Sequence, residues 1–208
     1  PGVFGKWSKP NYNSVVSTFC YNIANGFPIE IREEDFKLSL IYVDDLVNLL
    51  LTHLTIKNHQ SEFFDVAPLF EITLGELATT ISSFPKLRKS LHAPKIGDPL
   101  HKRLYSTYLS YLPEDKFSYP LELKEDNRGN LFEWIKSDNF GQIFVSTTKP
   151  GITRGNHYHH LKTEKFLVIR GEAEIHFRQI STEKIIKYEV SGSKPMVVDI
   201  PIGYTHNI

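Results

Sequence analysis

From Leu131 to Ile200 the sequence is a series of short apolar segments that recur at intervals of roughly ten residues. The segments are LFEWIKS, GQIFVSTT, EKFLVIRG, EAEIHFRQI, KIIKYEV and MVVDI, with glycine, proline or charged residues between them. A long series of such segments is typical of an all-β sandwich or barrel. We therefore expect antiparallel β structure from about residue 121 onward, and no helix longer than two turns between residues 140 and 206.

The first 112 residues have a different pattern, in which apolar residues recur mostly at helical spacing. The pattern predicts helices near 14–24, 44–55, 73–84 and 98–112, and strands within 28–43 and 62–66. Asn13 or Ser14 is a candidate N-cap for the first helix, and Thr73 for the third. Two prolines frame the stretch LPEDKFSYP after these helices, so we place a domain boundary there, between 1–117 and 118–208.

The charge balance and the single cysteine exclude several classes of protein. Lys plus Arg and Asp plus Glu each number 24, so nothing favours nucleic acid as a partner. No apolar run reaches the roughly 18 residues of a membrane span, so no membrane association is expected. Cys20, in an apolar pattern typical of a buried side chain, excludes an intrachain disulfide and fits a reducing, cytoplasmic location. Because the chain opens with Pro1, we expect an internal piece of a longer protein.

Histidines and a glutamate stand at regular intervals within the β segment. His157 and His159 are two residues apart, so on a strand both side chains would lie on one face, and Glu164 would open the next strand. His206 follows a Pro-x-Gly turn on a later strand. Two or three imidazoles and a carboxylate that converge inside a β-barrel suit zinc or another divalent metal. The alternative is a set of surface histidines, which is what we expect for His160.

These residues resemble the paired motifs of the cupin superfamily. The first motif, G(x)5HxH(x)4E(x)6G, matches from Gly151 to Gly171 at every fixed position, and the second matches at Pro201, Gly203 and His206. Asn207 departs from the pattern, because it follows the histidine directly. The resemblance implies an all-β cupin (jelly-roll) barrel with His157, His159, Glu164 and His206 as metal ligands. In metal-free sugar epimerases of this class the histidine that matches His157 is the catalytic base.

The first half is similar to the second half of extended short-chain dehydrogenases that act on nucleotide sugars. The resemblance rests on Val3-Phe4-Gly5 before the first helix and on Tyr42-Val43-Asp44-Asp45 before the second. It implies an α/β C-terminal part of a Rossmann-type domain. We expect sugar or phosphate contacts from Lys6, Asn11 and Asn13, with a plain connecting loop as the alternative. The glycine-rich cofactor fingerprint and the catalytic Y-x-x-x-K are absent from residues 1–117, so this part lacks the NADPH site.

A dehydrogenase part followed by a cupin resembles the bifunctional enzymes of capsular polysaccharide synthesis that lead through UDP-N-acetyl-L-talosamine to UDP-N-acetyl-L-fucosamine. The resemblance implies a homodimer with a UDP-sugar substrate. It further implies that the cupin epimerises carbon 3 of a UDP-4-keto-6-deoxy-N-acetylhexosamine, and that the dehydrogenase reduces the 4-keto group with NADPH. The alternatives are a non-catalytic sugar-binding or regulatory cupin and an iron dioxygenase. Lys162 and Lys165 are expected to be solvated surface residues, with an offset of the substrate's charge as the alternative role.

Overall fold

A computed structural model describes residues 1–55 and 64–208. The chain divides into two compact units, each of which is described by itself. The first unit comprises Pro1–Glu122 with Glu133–Phe144, and the second comprises Leu123–Phe132 with Val145–Ile208. In sequence, Glu133–Phe144 of the first unit thus lies between the two segments of the second unit. The domain boundary between residues 117 and 118 stays a prediction.

The first unit is a small three-stranded sheet with helices, as expected from the sequence. Its elements are β1 (Gly2–Phe4), α1 (Val15–Asn25), β2 (Lys37–Tyr42), α2 (Val43–Thr55), β3 (Phe70–Thr73), α3 (Leu74–Ser90), α4 (Pro99–Leu109) and a 3-10 turn at Glu114–Lys116. The sheet order is β1-β2-β3, in which β1 is parallel and β3 antiparallel to β2. Of the candidate strand at 62–66, residues 64–66 have no regular structure, and 62 and 63 lie outside the described residues.

The helices begin and end at the residues that local chemistry favours. The Ser14 side chain accepts a hydrogen bond from the backbone N–H of Ser17, and Gly26 closes α1 in a left-handed conformation with φ 78°. Thr73 and Glu76 form a reciprocal capping box at the start of α3. The sequence predicted this cap correctly, but α3 continues past the expected end near residue 84 to Ser90, whereas α4 ends at Leu109, before the expected residue 112.

An apolar core holds the sheet of the first unit against α1, α3 and α4. Its buried members are Phe4, Val16, Phe19, Cys20, Ala24, Leu40, Leu77, Ala78, Ile81, Phe84, Leu104 and Tyr108. Cys20 is fully buried and its pKa is raised by desolvation, which confirms the expected structural role and disfavours the reactive thiolate. By contrast, α2 is described throughout and none of its residues is buried.

From residue 124 onward the chain forms antiparallel β structure, as the spacing of the apolar segments predicted, and all of it except Glu133–Phe144 belongs to the second unit. The strands from residue 124 onward are β4 (Lys124–Asp126), β5 (Gly129–Ser137), β6 (Gly141–Ser146), β7 (Gly155–His157), β8 (Glu164–Leu167), β9 (Glu172–Gln179), β10 (Ile185–Ser191), β11 (Val197–Ile200) and β12 (Tyr204–Asn207). Residues 140–206 are all described and contain no helix. The strand orders are β4-β5-β6, β10-β9-β12-β7 and β11-β8, and none of these sheets closes into a hydrogen-bonded barrel within the described chain.

The second core lies between the four-stranded sheet and the two-stranded β11-β8 sheet. Ile175 and Phe177 from β9 pack with Val198 and Ile200 from β11, and Val190 joins them from β10. Because β12 pairs with β9 on one side and with β7 on the other, His206 lies between Phe177 and His157 in the ladder. This packing brings β7, β8 and β12 together at one site.

Candidate metal centre

The structure brings the four residues of the two histidine motifs to one place. His157, His159, Glu164 and His206 each offer one ligand atom, and these atoms all lie within 4.8 Å of one another. The imidazole centroids are 4.7 Å apart for His157 and His206, 4.9 Å for His157 and His159, and 5.9 Å for His159 and His206. The convergence expected from the spacing of the motifs is therefore present.

The way in which His157 and His159 reach the site differs from the expectation. The sequence placed both on one strand, but β7 ends at His157, and His159 lies two residues beyond it. The strand is short because the chain turns away after pairing with β12 over only a few residues. His157 is opposite His206 in that ladder, whereas Glu164 opens β8 opposite Ile200, as expected for a residue at the start of a strand.

A β-bulge next to His206 sets this register. His206 pairs with His157 and Asn207 pairs with Gly155, so Asn156 is the extra residue and takes a left-handed φ of 64°. The side-chain amide of Asn207 donates a hydrogen bond to Oδ1 of Asn156 at 2.7 Å. Gly155 is required here, since a Cβ would lie 2.7 Å from the carbonyl oxygen of His206. The departure of Asn207 from the second cupin motif thus coincides with a stabilised bulge.

Three buried polar atoms at the site have no hydrogen-bond partner among the described residues: Nε2 of His159, Nε2 of His206 and Oε2 of Glu164. Both nitrogens are 3.2 Å from this oxygen, but neither contact has hydrogen-bond geometry. Leaving such groups unpaired costs about 1–3 kcal/mol each. Three imidazoles and one carboxylate are the ligands that divalent transition metals take, so the residues present fit a metal ion.

Electrostatics favour the ligand form of Glu164 and of His206. Burial would raise the pKa of Glu164, but the hydrogen bond and charge of Lys162, with smaller effects of His159 and His206, hold it below its usual value. Burial lowers the pKa of His206, whose side chain is only 1% exposed. Nδ1–H of His206 donates to the carbonyl oxygen of Tyr204 at 3.4 Å, which leaves the Nε2 lone pair facing the site.

The remaining residues considered from sequence have the following surroundings. His160 is exposed, as expected. In the first unit, the Lys6 ammonium forms an ion pair with Asp44 at 2.7 Å, while Asn11 and Asn13 have left-handed φ values of 56° and 53°. Their proposed substrate contacts stay predictions.

None of the described helices has the length and apolar character that crossing a bilayer requires.

Lys162 is the residue at this site that sequence reasoning missed. We expected both Lys162 and Lys165 at the surface, and both are exposed; Lys165 pairs with Asp199 where both side chains are about 70% exposed. Lys162 also donates to Oε1 of Glu164 at 2.6 Å, a contact that was not predicted. The signal was available, because Lys162 stands two residues before a motif glutamate whose carboxylate must be buried to act as a ligand.

Comparison with known proteins identifies relatives of the whole chain. All 208 residues superpose on the capsular polysaccharide assembling protein CapF from Staphylococcus aureus, with 47% identity and a TM-score of 0.93. Residues 124–208 match the family model described as the polysaccharide biosynthesis C-terminal domain. The chain is a homologue of capsular polysaccharide biosynthesis proteins. A structure of CapF with the inhibitor 3-isopropenyl-tropolone also matches all 208 residues, with 47% identity and a TM-score of 0.93, and the match covers 60% of that chain.

A second relative adds an activity. The chain is 45% identical over all 208 residues to the UDP-2-acetamido-2,6-beta-L-arabino-hexul-4-ose reductase of Pseudomonas aeruginosa. It spans 56% of the length of that reductase and 56% of the first staphylococcal structure. The chain thus covers little more than half of each of these two relatives.

Proposed function

We propose that the chain is part of a bifunctional nucleotide-sugar enzyme of capsular polysaccharide synthesis. In this proposal the cupin domain of residues 118–208 epimerises carbon 3 of a UDP-4-keto-6-deoxy-N-acetylhexosamine. The dehydrogenase domain, to which residues 1–117 contribute, reduces the 4-keto group with NADPH to give UDP-N-acetyl-L-talosamine. The observation that carries the proposal is the convergence of His157, His159, Glu164 and His206 around orphaned buried atoms.

The name of the Pseudomonas relative supports the choice of substrate. It describes a UDP-linked 2-acetamido sugar with a ketone at carbon 4 and a reductase that acts on it. A ketone at carbon 4 acidifies the hydrogen on carbon 3, which is the condition for epimerisation by proton removal and return. The epimer keeps the ketone at carbon 4, so the product of the first proposed reaction is the substrate of the second.

We propose different roles for the residues of the site according to their exposure to solvent. His206 is buried and His157 is the most exposed of the four. In this proposal His206 anchors the site and His157 lies on the side from which the substrate enters. A divalent metal, zinc in our proposal, would supply Lewis-acid polarisation of the carbonyl next to carbon 3. A nitrogen that holds a metal has no lone pair left for a proton. His157 is thus proposed to be catalytic as a ligand, with a different group as the base.

The first unit is proposed to bind the sugar nucleotide for reduction. Lys6, Asn11 and Asn13 lie on one loop and offer an ammonium and two amides to phosphate or sugar oxygens. Lys6 is already held by Asp44, which fixes the position of its charge. Replacement of Lys6 and Asn11 by alanine in the intact enzyme should weaken reduction and leave exchange at carbon 3 unchanged. We also propose that the enzyme is a homodimer and that it is located in the cytoplasm.

The test is solvent exchange at carbon 3 of the keto sugar. The intact protein is incubated with the UDP-4-keto sugar in D2O without NADPH, and deuterium at carbon 3 is followed by NMR or mass spectrometry. We expect exchange by the wild-type protein and a large loss in Glu164→Gln, because epimerisation requires the site but not the reductant. Addition of NADPH should then convert the epimer to the reduced sugar.

The alternative functions predict different results. A non-catalytic sugar-binding or regulatory cupin would bind the keto sugar without exchanging the hydrogen at carbon 3. Reduction without exchange by the intact, metal-loaded protein would therefore contradict the epimerase assignment. An iron dioxygenase would consume oxygen with its substrate, and metal analysis of the purified protein addresses that possibility directly.

A further inference from the structure

The two carboxylate oxygens of Glu164 have different surroundings. Oε1 accepts a hydrogen bond of 2.6 Å from the Lys162 ammonium. Oε2 is buried, lies 3.2 Å from Nε2 of both His159 and His206, and has no hydrogen-bond partner among the described residues. One oxygen is thus occupied by a protein cation, and the other is directed at the cluster of imidazole nitrogens.

We propose that Lys162 is a positioning residue that makes Glu164 a one-oxygen ligand of the metal site. The inference rests on the proposed metal-dependent function. A carboxylate can bind a cation through one oxygen or through both. The short hydrogen bond to Oε1 fixes the rotation of the carboxylate and leaves only Oε2 facing the histidines.

The setting of this ion pair distinguishes it from an ordinary surface contact. Exposed pairs contribute little, since solvent screens both charges. The Lys162 side chain is 52% exposed, but the Glu164 side chain is only 11% exposed, so the accepting group is fixed within the site. Lys165, three residues later, is the matched control, because its ion pair with Asp199 is exposed on both sides.

A single ligand oxygen matters for the chemistry proposed here. With three imidazoles and one oxygen, the protein supplies four ligand atoms, and a cation that accepts five or six ligands keeps places for substrate oxygens. If Glu164 were free to rotate and bind through both oxygens, it would occupy one of those places. Lys162 thereby keeps a coordination position open.

The experiment compares metal binding by wild-type protein, Lys162→Met, Lys162→Arg and Lys165→Met, all in the intact chain. Affinity for Zn²⁺ is measured by competition with a chelator, and coordination is followed by the visible absorption of bound Co²⁺, which weakens as the coordination number rises. Residues that orient metal ligands typically contribute 10- to 100-fold in affinity. We expect a loss of that size in Lys162→Met together with weaker Co²⁺ bands. Lys162→Arg should retain most of the wild-type behaviour, and Lys165→Met all of it.

The outcomes separate this inference from the proposed function. If the folded wild-type protein binds neither Zn²⁺ nor Co²⁺, the metal-dependent function is wrong. If the wild type binds both and Lys162→Met gives the wild-type Co²⁺ spectrum, the positioning role of Lys162 is overturned while the metal site stands. Lys162→Gln serves as a second variant, so that a folding defect in one substitution does not decide the result.

Discussion

His157 and His206 lie directly opposite each other in the β7-β12 ladder, and their ring centroids are 4.7 Å apart. They belong to motifs almost fifty residues apart, so only the register of this ladder brings them together. The register depends on the bulge at Asn156, because one residue more or less would turn the His157 side chain to the opposite face.

Gly155→Ala should disturb this register. The substitution puts a Cβ 2.7 Å from the His206 carbonyl oxygen at a φ of 108°, so both strain and a backbone clash result. Strained backbone of this kind costs about 1–3 kcal/mol, and we expect metal affinity to fall as well. The control is Gly171→Ala, where φ is 85° but the added Cβ meets nothing within 4 Å. Equal losses of unfolding free energy and of Zn²⁺ affinity in the two variants would contradict the role of the bulge.

The metal-free protein should lose stability as the pH falls below about 6.5. Burial lowers the pKa of His206 below its usual value of 6.5 in the folded state. The unfolded chain therefore takes up a proton at a higher pH than the folded chain, and the free energy of unfolding decreases as pH falls through this window. Removal of the imidazole in His206→Gln should flatten the dependence below about pH 6.5, measured by urea denaturation with a chelator present.

His101 supplies the comparison for this experiment, because burial also lowers its pKa and it lies in the first unit. His101→Gln should remove a separate part of the pH dependence and leave Zn²⁺ binding unchanged. If His206→Gln kept the full wild-type dependence, the buried His206 would not be a group whose pKa is lowered in the folded state.

Asp45→Asn should destabilise the first unit. Nε and one terminal nitrogen of Arg103 donate to the two carboxylate oxygens of Asp45 at 2.7 and 2.9 Å, and both side chains are largely shielded from solvent. A charge-assisted pair of this geometry contributes about 1.5–3 kcal/mol. Asp44→Asn is the matched control, since its pair with Lys6 is more exposed and screened. A loss in Asp44→Asn as large as that in Asp45→Asn would show that shielding is not the decisive factor.

Local signals predicted most of the secondary structure. At Ser14 and Thr73 the capping side chain accepts a hydrogen bond from the backbone N–H three residues later in the chain. Contacts of such short range can be predicted from the sequence. The convergence of His157, His159, Glu164 and His206 was also predictable, because the spacing of the two motifs places these residues at or next to strands that meet in the fold.

The features that the sequence did not reveal depend on long-range pairing. The early end of β7 at His157 and the bulge at Asn156 follow from how β12 meets β7, which no local pattern encodes. The division of the β strands into three open sheets is likewise decided by packing of Ile175 and Phe177 against β11.

The central claim is that His157, His159, Glu164 and His206 hold a divalent metal ion, and the most direct measurement is the metal stoichiometry of the intact, folded protein. After removal of metal by a chelator, Zn²⁺ is added back and bound metal is determined by atomic emission, with Glu164→Gln as the near-isosteric control. We expect one Zn²⁺ per chain in the wild type, and an increase in the free energy of unfolding of about 2.7 kcal/mol at a free Zn²⁺ concentration 100 times the dissociation constant. The control should show neither. A folded wild-type protein that bound no Zn²⁺, Mn²⁺, Fe²⁺, Co²⁺ or Ni²⁺ would contradict the account.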